Sequence, residues 1–409
     1  MAEWISASDK LPEKGVKIMN IYYTFKKKPK TQTQKEQAEI YNLIYQMSME
    51  DILNTTIEDD IAEKYAHTQT IFIPKDKIER NKYVEQAENY IASFAELGKE
   101  VFPNGTSKED YTSFKIPKAS GGFRQIDAPK EALMKYLTDL KNTFEQKINL
   151  KWHDNAYAYT KQRTAYDALK VHQQNNSKWF LKLDVQDFFP SCSVDVLMYQ
   201  LSKIYPFALF TEEGMTNLKQ VLEYCVLDGK LPQGTPMSPI LTNLIMIPFD
   251  YEVVYNIRNK VHGEFIYTRY ADDLLISNKY NFTWSEVCKS INETFEKLGY
   301  PFKLKDKKTR YGSAAGSNWN LGLMLNKDNN ITIGHKNKKR LKAAICNFFL
   351  DLTKDNPWSI IDTQTLMGKI SYYRAIEPGY INYVIQQYNK KFNKDLDKEA
   401  KKIIHPNYN

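Results

Sequence analysis

Long apolar runs are missing from this chain of 409 residues, and no stretch approaches the length needed to cross a membrane. The opening Met1-Ala-Glu-Trp-Ile-Ser also lacks the charged and apolar regions of a secretory leader, so a cytoplasmic protein without a membrane partner is expected. Cysteine is sparse. Cys192, Cys225, Cys288 and Cys346 lie far apart with no Cys-x-x-Cys pair, which excludes a zinc knuckle or disulfide framework and predicts buried, reduced thiols. Disorder is excluded too, because 42% hydrophobic and 13% aromatic residues can bury the cores of two or three domains.

The net charge of +8 is unevenly spread. Residues 1–110 carry fifteen Lys/Arg against nineteen Asp/Glu, whereas residues 335–409 carry fourteen against seven, so a phosphate backbone should meet the C-terminal end. Near the N-terminus, Lys26-Lys27-Lys28-Pro29-Lys30 precedes a stretch from Glu36 to Glu63 with eight acids and no Lys or Arg. The two cannot serve one partner, and the lysine patch reads either as a nucleic-acid contact or as a solvated loop. Ile40, Leu43, Ile44 and Met47 fall at helical spacing, as do Tyr83, Ala87, Ile91 and Phe94, and Asn104-Gly105 ends the region with a turn. A helical extension without visible chemistry is expected over 1–110.

Chemistry begins with Phe265-Ile-Tyr-Thr-Arg-Tyr270-Ala271-Asp272-Asp273-Leu274-Leu-Ile-Ser277, two β-forming runs with adjacent carboxylates at the turn between them. One such pair, taken alone, is a solvated turn. A second stretch, Trp179-Phe-Leu-Lys-Leu-Asp184-Val185-Gln186-Asp187-Phe188-Phe189, runs a buried-type strand into acid. Three carboxylates would complete a site for two hard divalent ions about 4 Å apart, Mg²⁺ or Mn²⁺, suited to activating a 3′-hydroxyl and stabilising a pyrophosphate leaving group.

Tyr270-Ala271-Asp272-Asp273 together with the Asp184 stretch resembles the palm of a reverse transcriptase. Leu231-Pro232-Gln233-Gly234-Thr235-Pro236-Met237-Ser238-Pro239, a glycine turn opening an apolar helix, resembles that family's support for the nascent base pair. The resemblance covers roughly residues 111–390. It implies an α+β right-hand polymerase fold of fingers, palm with antiparallel sheet and helical thumb, behind the helical N-terminal extension. The expected division is 1–110 extension, 111–334 fingers and palm, and 335–409 thumb.

The same resemblance implies residue roles. Asp184, the carbonyl of Val185, Asp272 and, less directly, Asp273 would hold two Mg²⁺ ions. Asp187, Phe188, Phe189, Gln233 and Gly234 would border the nucleotide, with Phe189 a steric gate favouring deoxynucleotides or a packed core ring. Lys118 and Arg124, flanking Gly121-Gly122 between two strands, would meet the triphosphate, and Lys308 would protonate pyrophosphate or simply belong to a basic run. A helix then a strand is expected through Phe295, Leu298 and Phe302. Leu321 and Gly322 would grip the primer end, while Lys339 and Lys342, on a helix buried through Leu341, Ile345 and Phe348, would lie along an RNA–DNA hybrid. Second and third thumb helices are expected after Asp362 and near Tyr380, separated by Pro378-Gly379. Lys161 and Arg163 read as template contacts, and His172 as a structural histidine.

Retron enzymes carry Asn-Ala-x-x-His and Val-Thr-Gly in two of these regions. This chain has Asp167-Ala168 with His172 one position late, and Asn320-Leu321-Gly322. Those departures favour the defence-associated bacterial reverse transcriptases, with a retron enzyme the alternative. The implied partners are dNTPs, a dedicated structured noncoding RNA and an RNA–DNA hybrid. With no ribonuclease H expected after the thumb, an accessory protein or host ribonuclease H would remove the template. A non-polymerising RNA-binding module resembling a maturase is disfavoured by the intact carboxylates, and an RNA-dependent RNA polymerase by Phe189 and Ala271. Template, priming hydroxyl and oligomeric state stay open.

Overall fold

The computed structural model describes residues 77–406 except Ala119, Ser120, Asn149, Lys151, Asn259, Lys260, His262, Glu264, Ala315, Gly316, Ser317, Leu321, Asp355 and Pro357. The lysine patch at 26–30, the helix expected through Ile40–Met47 and Leu321 lie outside the described residues.

The first described helix, α1 (Lys77–Val101), buries Val84, Ala87, Ile91 and Ala95, one stripe at helical spacing. Tyr83, expected on that stripe, points outward instead, because the buried face is centred a residue later. Strands β1 (Tyr111–Pro117) and β2 (Phe123–Pro129) form an antiparallel hairpin that stands largely in solvent. Helix α2 (Glu131–Gln146) follows through Leu133, Tyr136, Leu137 and Leu140, all buried as their spacing predicts. Helix α3 (Ala165–Gln174) starts at a capping box in which Thr164 and Asp167 each satisfy the other's backbone N–H.

Strand β3 (Trp179–Asp184) then leads through helices α4 (Val194–Leu201) and α5 (Glu212–Glu223) to α6 (Met237–Ile245) and α7 (Ile247–Arg258). Strands β4 (Phe265–Tyr270) and β5 (Asp273–Asn278) make the acidic hairpin, and α8 (Trp284–Leu298) ends at Gly299, whose φ of 75° needs no Cβ penalty. No strand forms around Phe302. The chain there makes one isolated bridge, Leu304 with Val185, and a short 3-10 turn over Asp306–Lys308 before β6 (Arg310–Ser313), because its backbone hydrogen bonds go to the loop after Asp184.

Strands β7 (Asn318–Asn320), β8 (Leu323–Leu325) and β9 (Ile331–Thr332) form a small antiparallel sheet. Four helices close the chain: α9 (Gly334–Thr353), α10 (Ile360–Ile376), α11 (Pro378–Phe392) and α12 (Leu396–Ile404). Pro378 sits in the first turn of α11, where its missing N–H costs nothing, rather than in a spacer between helices. Helix α12, capped by Asp395, was missed by the sequence reading although Leu396, Ala400 and Ile403 fall at helical spacing, and it buries Leu396 and Ala400.

The central antiparallel sheet runs β4-β5-β3-β6 and is covered on both faces. Leu181, Leu183, Leu274 and Ile276 join the larger core with α6, α7 and α8, and helix α1 reaches that same core through Ile91. Phe180 and Leu275 face the other way, into a second core shared with α3, Trp319 and the closing helices. Alternation along the strands explains the split, since neighbouring side chains point to opposite faces. Cys192 and Cys225 are buried, with burial raising both thiols, but Cys288 and Cys346 are half-exposed at helix edges. Among the described residues no helix is long and apolar enough to cross a membrane.

Candidate active site

The register of the central sheet brings the carboxylates together. Asp184 ends β3 directly opposite Asp273 at the start of β5, and Tyr270 lies opposite Asp273 on β4. Only Ala271 and Asp272 form the turn, with Ala271 at φ 56°, and the Val185 N–H donates to the Asp272 carbonyl at 2.9 Å. The pair is therefore not a solvated turn. Asp184 is buried, Asp272 and Asp273 are half-buried, and burial followed by the charges of Asp273 and Asp184 raises the Asp272 carboxyl above its ordinary value.

Two lysines temper that crowding. Lys308 Nζ lies 2.5 Å from Asp184 Oδ2, and Lys182 Nζ 2.8 Å from Asp273 Oδ2. Lys308 arrives through the departure from strand geometry described above: Lys305 N donates to the Asp184 carbonyl, and Lys308 N donates to the Lys305 carbonyl. Among the described residues no three acid, imidazole or thiol groups already converge as a closed metal cage; ammonium groups hold two of the three carboxylates. The donor set nonetheless fits a hard divalent cation, being hard oxygens whose mutual repulsion is relieved here by two stand-in positive charges.

The loop after Asp184 turns sharply at Asp187, exposed at φ 45°. Phe188 is buried against Phe302, their centroids 5.2 Å apart, so its role is packing. Phe189 is half-buried, tilted at 55° to Phe188, with part of its ring open.

Gly234 is where backbones approach most closely, and the neighbour is protein. A Cβ there would lie 2.9 Å from Ile126 Cγ2 and 3.0 Å from the Asp127 carbonyl oxygen, while Asp127 N donates to the Gln233 carbonyl at 2.7 Å. The Gln-Gly turn is thus fastened to β2. The Gln233 side-chain oxygen is shut from solvent with no hydrogen-bond partner among the described residues. Lys118 and Arg124, on the exposed hairpin, are both solvent-facing and make no side-chain pair among the described residues.

Gly322, at φ 92°, borders a cavity of about 230 Å³ with Asn337, Lys369, Tyr372 and Tyr373, between the small sheet and the closing helices. Lys339 and Lys342 are exposed on α9, Lys342 lying 5.7 Å from the Tyr380 ring, whereas Lys338 is taken by Glu377 at 2.6 Å. Arg163 is not free for a template. Its guanidinium is spent on the His153, Asp154 and Ala156 carbonyls and the Asp154 carboxylate, and Lys161, though exposed, lies 3.4 Å from Glu145. His172 is fully buried between Ser277 and Thr268, and burial lowers its pKa to about 3, as befits a structural imidazole.

Sequence reasoning missed Lys182, although its place two residues before Asp184 puts it on the same strand face. It also missed Arg269, whose guanidinium is bonded to both carboxylate oxygens of Asp250 and to Asn243 Oδ1 at full burial. A charge inside an otherwise apolar strand was the available signal.

A family described as reverse transcriptase (RNA-dependent DNA polymerase) matches residues 116–342. The retron Ec73 reverse transcriptase of Escherichia coli is 28% identical over 287 residues, covering 69% of this chain and 88% of that protein. The retron Ec83 reverse transcriptase of the same organism is 26% identical over 298 residues, covering 70% and 90%. Apo telomerase from Candida Tropicalis is a more distant solved structure, with a TM-score of 0.42 at 13% identity over 79% of this chain and 66% of that one.

Proposed function

The chain belongs to the reverse transcriptase family, whose members are RNA-dependent DNA polymerases, and from that premise we propose that it extends DNA on an RNA template at the corner of Asp184, Asp272 and Asp273. The observation that carries this is the register: Asp184 faces Asp273 across paired strands with Asp272 one residue away, three carboxylates held on rigid backbone. The family uses divalent metals, and Mg²⁺ is the ion we propose, held by Asp184, Asp272 and the Val185 carbonyl, with Asp273 kept by Lys182. When bound there, two such ions supply activation of the primer hydroxyl and charge compensation at the pyrophosphate.

The remaining work falls to side chains. Lys308, which lies beside Asp184, would give a proton to the departing pyrophosphate. Lys118 and Arg124, without a side-chain partner among the described residues, would hold the triphosphate if the hairpin bends toward the palm. The open part of Phe189 would meet a ribose 2′-hydroxyl, favouring dNTPs, and Gln233, Gly234 and Asp187 would border the same nucleotide, with the buried Phe188 packed behind them. Gly322 and its cavity, with Leu321, would hold the primer end, and Lys339 and Lys342 the hybrid. The division at 110 and 334 is one of labour, since α1 shares the palm's core.

The template we propose is a structured noncoding RNA. Similarity to two retron enzymes over nearly their whole length supports a retron-type reading, even though Asp167-Ala168 and Asn320-Leu321-Gly322 depart from the retron pattern. Action against phage rests on the family resemblance of the sequence alone. The test is to express the protein from its locus, sequence RNA that copurifies, and supply labelled dNTPs or rNTPs with Mg²⁺. A discrete RNA and dNTP incorporation abolished by Asp184→Ala and by Asp272→Ala are expected; synthesis that persists in both variants sinks the assignment. Phage plating with wild type and Asp272→Ala tests the defence role.

A further inference from the structure

The loop from His153 to Arg163 has little regular structure, yet it is fastened along its length. Arg163 holds three of its carbonyls. Arg269 N donates to the Asn155 carbonyl at 2.7 Å, Tyr157 N donates to the Arg269 carbonyl at 2.9 Å, and Ala156 forms a parallel bridge with Arg269. From α6, Asn243 Nδ2 donates to the Ala158 carbonyl at 2.8 Å, and the buried Arg269 guanidinium in turn holds Asn243. The acidic hairpin and the helix after the Gln-Gly turn therefore both grip this loop.

What they present is Tyr159. Its φ of 57° is in the left-handed region, costing a bulky residue on the order of 1 kcal/mol that the surrounding bonds must offset. The loop is tied to Arg269, three residues before Asp272 on the acidic hairpin, and Tyr159 follows directly on Ala158, whose carbonyl Asn243 holds, so that Asp272 and Tyr270 come within electrostatic reach of its side chain. Tyr159 is 44% exposed, and among the described residues its hydroxyl makes no hydrogen bond. Arg124 acts on it from the hairpin, opposite in sign to Asp272, and a tyrosine hydroxyl is a donor at neutral pH.

We propose that Tyr159 is a substrate-contacting residue whose hydroxyl donates a hydrogen bond to a phosphate oxygen of the incoming nucleoside triphosphate, between Asp272 and Arg124. The inference rests on the reading of the three carboxylates as the polymerase site. An anion at that point would meet Arg124 from the hairpin and Tyr159 from the loop, and the loop that carries the tyrosine is held in place before the substrate arrives.

The test compares wild type and Tyr159→Phe, which keeps the ring, in steady-state dTTP incorporation on a primed RNA template, with primer–template affinity and thermal unfolding measured alongside. Loss of one hydrogen bond to a charged group should raise KM for dTTP on the order of tenfold or more, leaving primer–template affinity and the unfolding midpoint unchanged. A wild-type KM in Tyr159→Phe overturns the proposal, as does weaker primer–template binding at unchanged KM. Direct dTTP binding without turnover separates the two readings. A wild-type protein that binds dTTP but never polymerises refutes the polymerase reading while Tyr159→Phe still reports on the contact; one that binds no dTTP refutes both.

Discussion

Replacing Gly234 with alanine should loosen the joint between the glycine hairpin and the palm. The added methyl meets two obstacles. At φ 121° an L side chain is strained, a cost of order 1–3 kcal/mol, and its Cβ would stand 2.9 Å from Ile126 Cγ2 and 3.0 Å from the Asp127 carbonyl oxygen. The isoleucine methyl can rotate away. The carbonyl cannot, because it belongs to β2, whose Asp127 N is bonded to Gln233 at 2.7 Å. Moving the strand to make room gives up that bond, about 1 kcal/mol net, so the total comes to roughly 2–4 kcal/mol. Arg124, three residues along β2, moves with it. Thermal unfolding should fall by several degrees, and KM for dNTP should rise more than kcat falls, since the displaced strand carries the proposed triphosphate contact. An alanine variant with the wild-type midpoint and wild-type KM would refute the account of this glycine as a close-approach position.

Two further outcomes follow from buried charge. Asp250→Asn leaves the fully buried Arg269 guanidinium without its counter-charge at 2.6 Å and should cost about 3–5 kcal/mol in denaturant unfolding; a loss below about 1 kcal/mol would mean that water reaches the pair. For His172, burial lowers the folded-state pKa to about 3 against about 6.5 unfolded, so the unfolded chain takes the proton first and stability falls as pH drops below 6.5. Between pH 7.5 and 5.5 the wild type should lose about 1.4 kcal/mol more than His172→Gln, and equal losses would refute a neutral, buried imidazole.

Much of the site was legible because its signals are local. A two-residue turn between β-forming runs fixes where Asp272 and Asp273 stand relative to each other, and alternation along Trp179–Asp184 tells which residues share the Asp184 face. The helix at 131–146 followed from periodicity in the same way. Sequence patterns of this kind determine an element whenever neighbours three or four positions apart, or two apart, supply the contacts that hold it.

Other features belong to tertiary structure alone. That Asp184 faces Asp273, and that Lys182 reaches Asp273, come from pairing between strands 89 positions apart, while Lys308 reaches Asp184 because the loop at 303–308 gives its hydrogen bonds to the Asp184 turn instead of forming a strand. The fate of Arg163 was hidden for the same reason: its three carbonyl partners exist only once the loop has folded back on itself. Tyr159 is the clearest case. Nothing in Asn155-Ala-Tyr-Ala-Tyr159 marks the last tyrosine over the first, and only the ties of this loop to Arg269 and Asn243 bring it within electrostatic reach of Asp272. The amino-acid order determines the chemistry available in each segment, whereas the contacts that aim it come from long-range pairing whose partners no local pattern can specify.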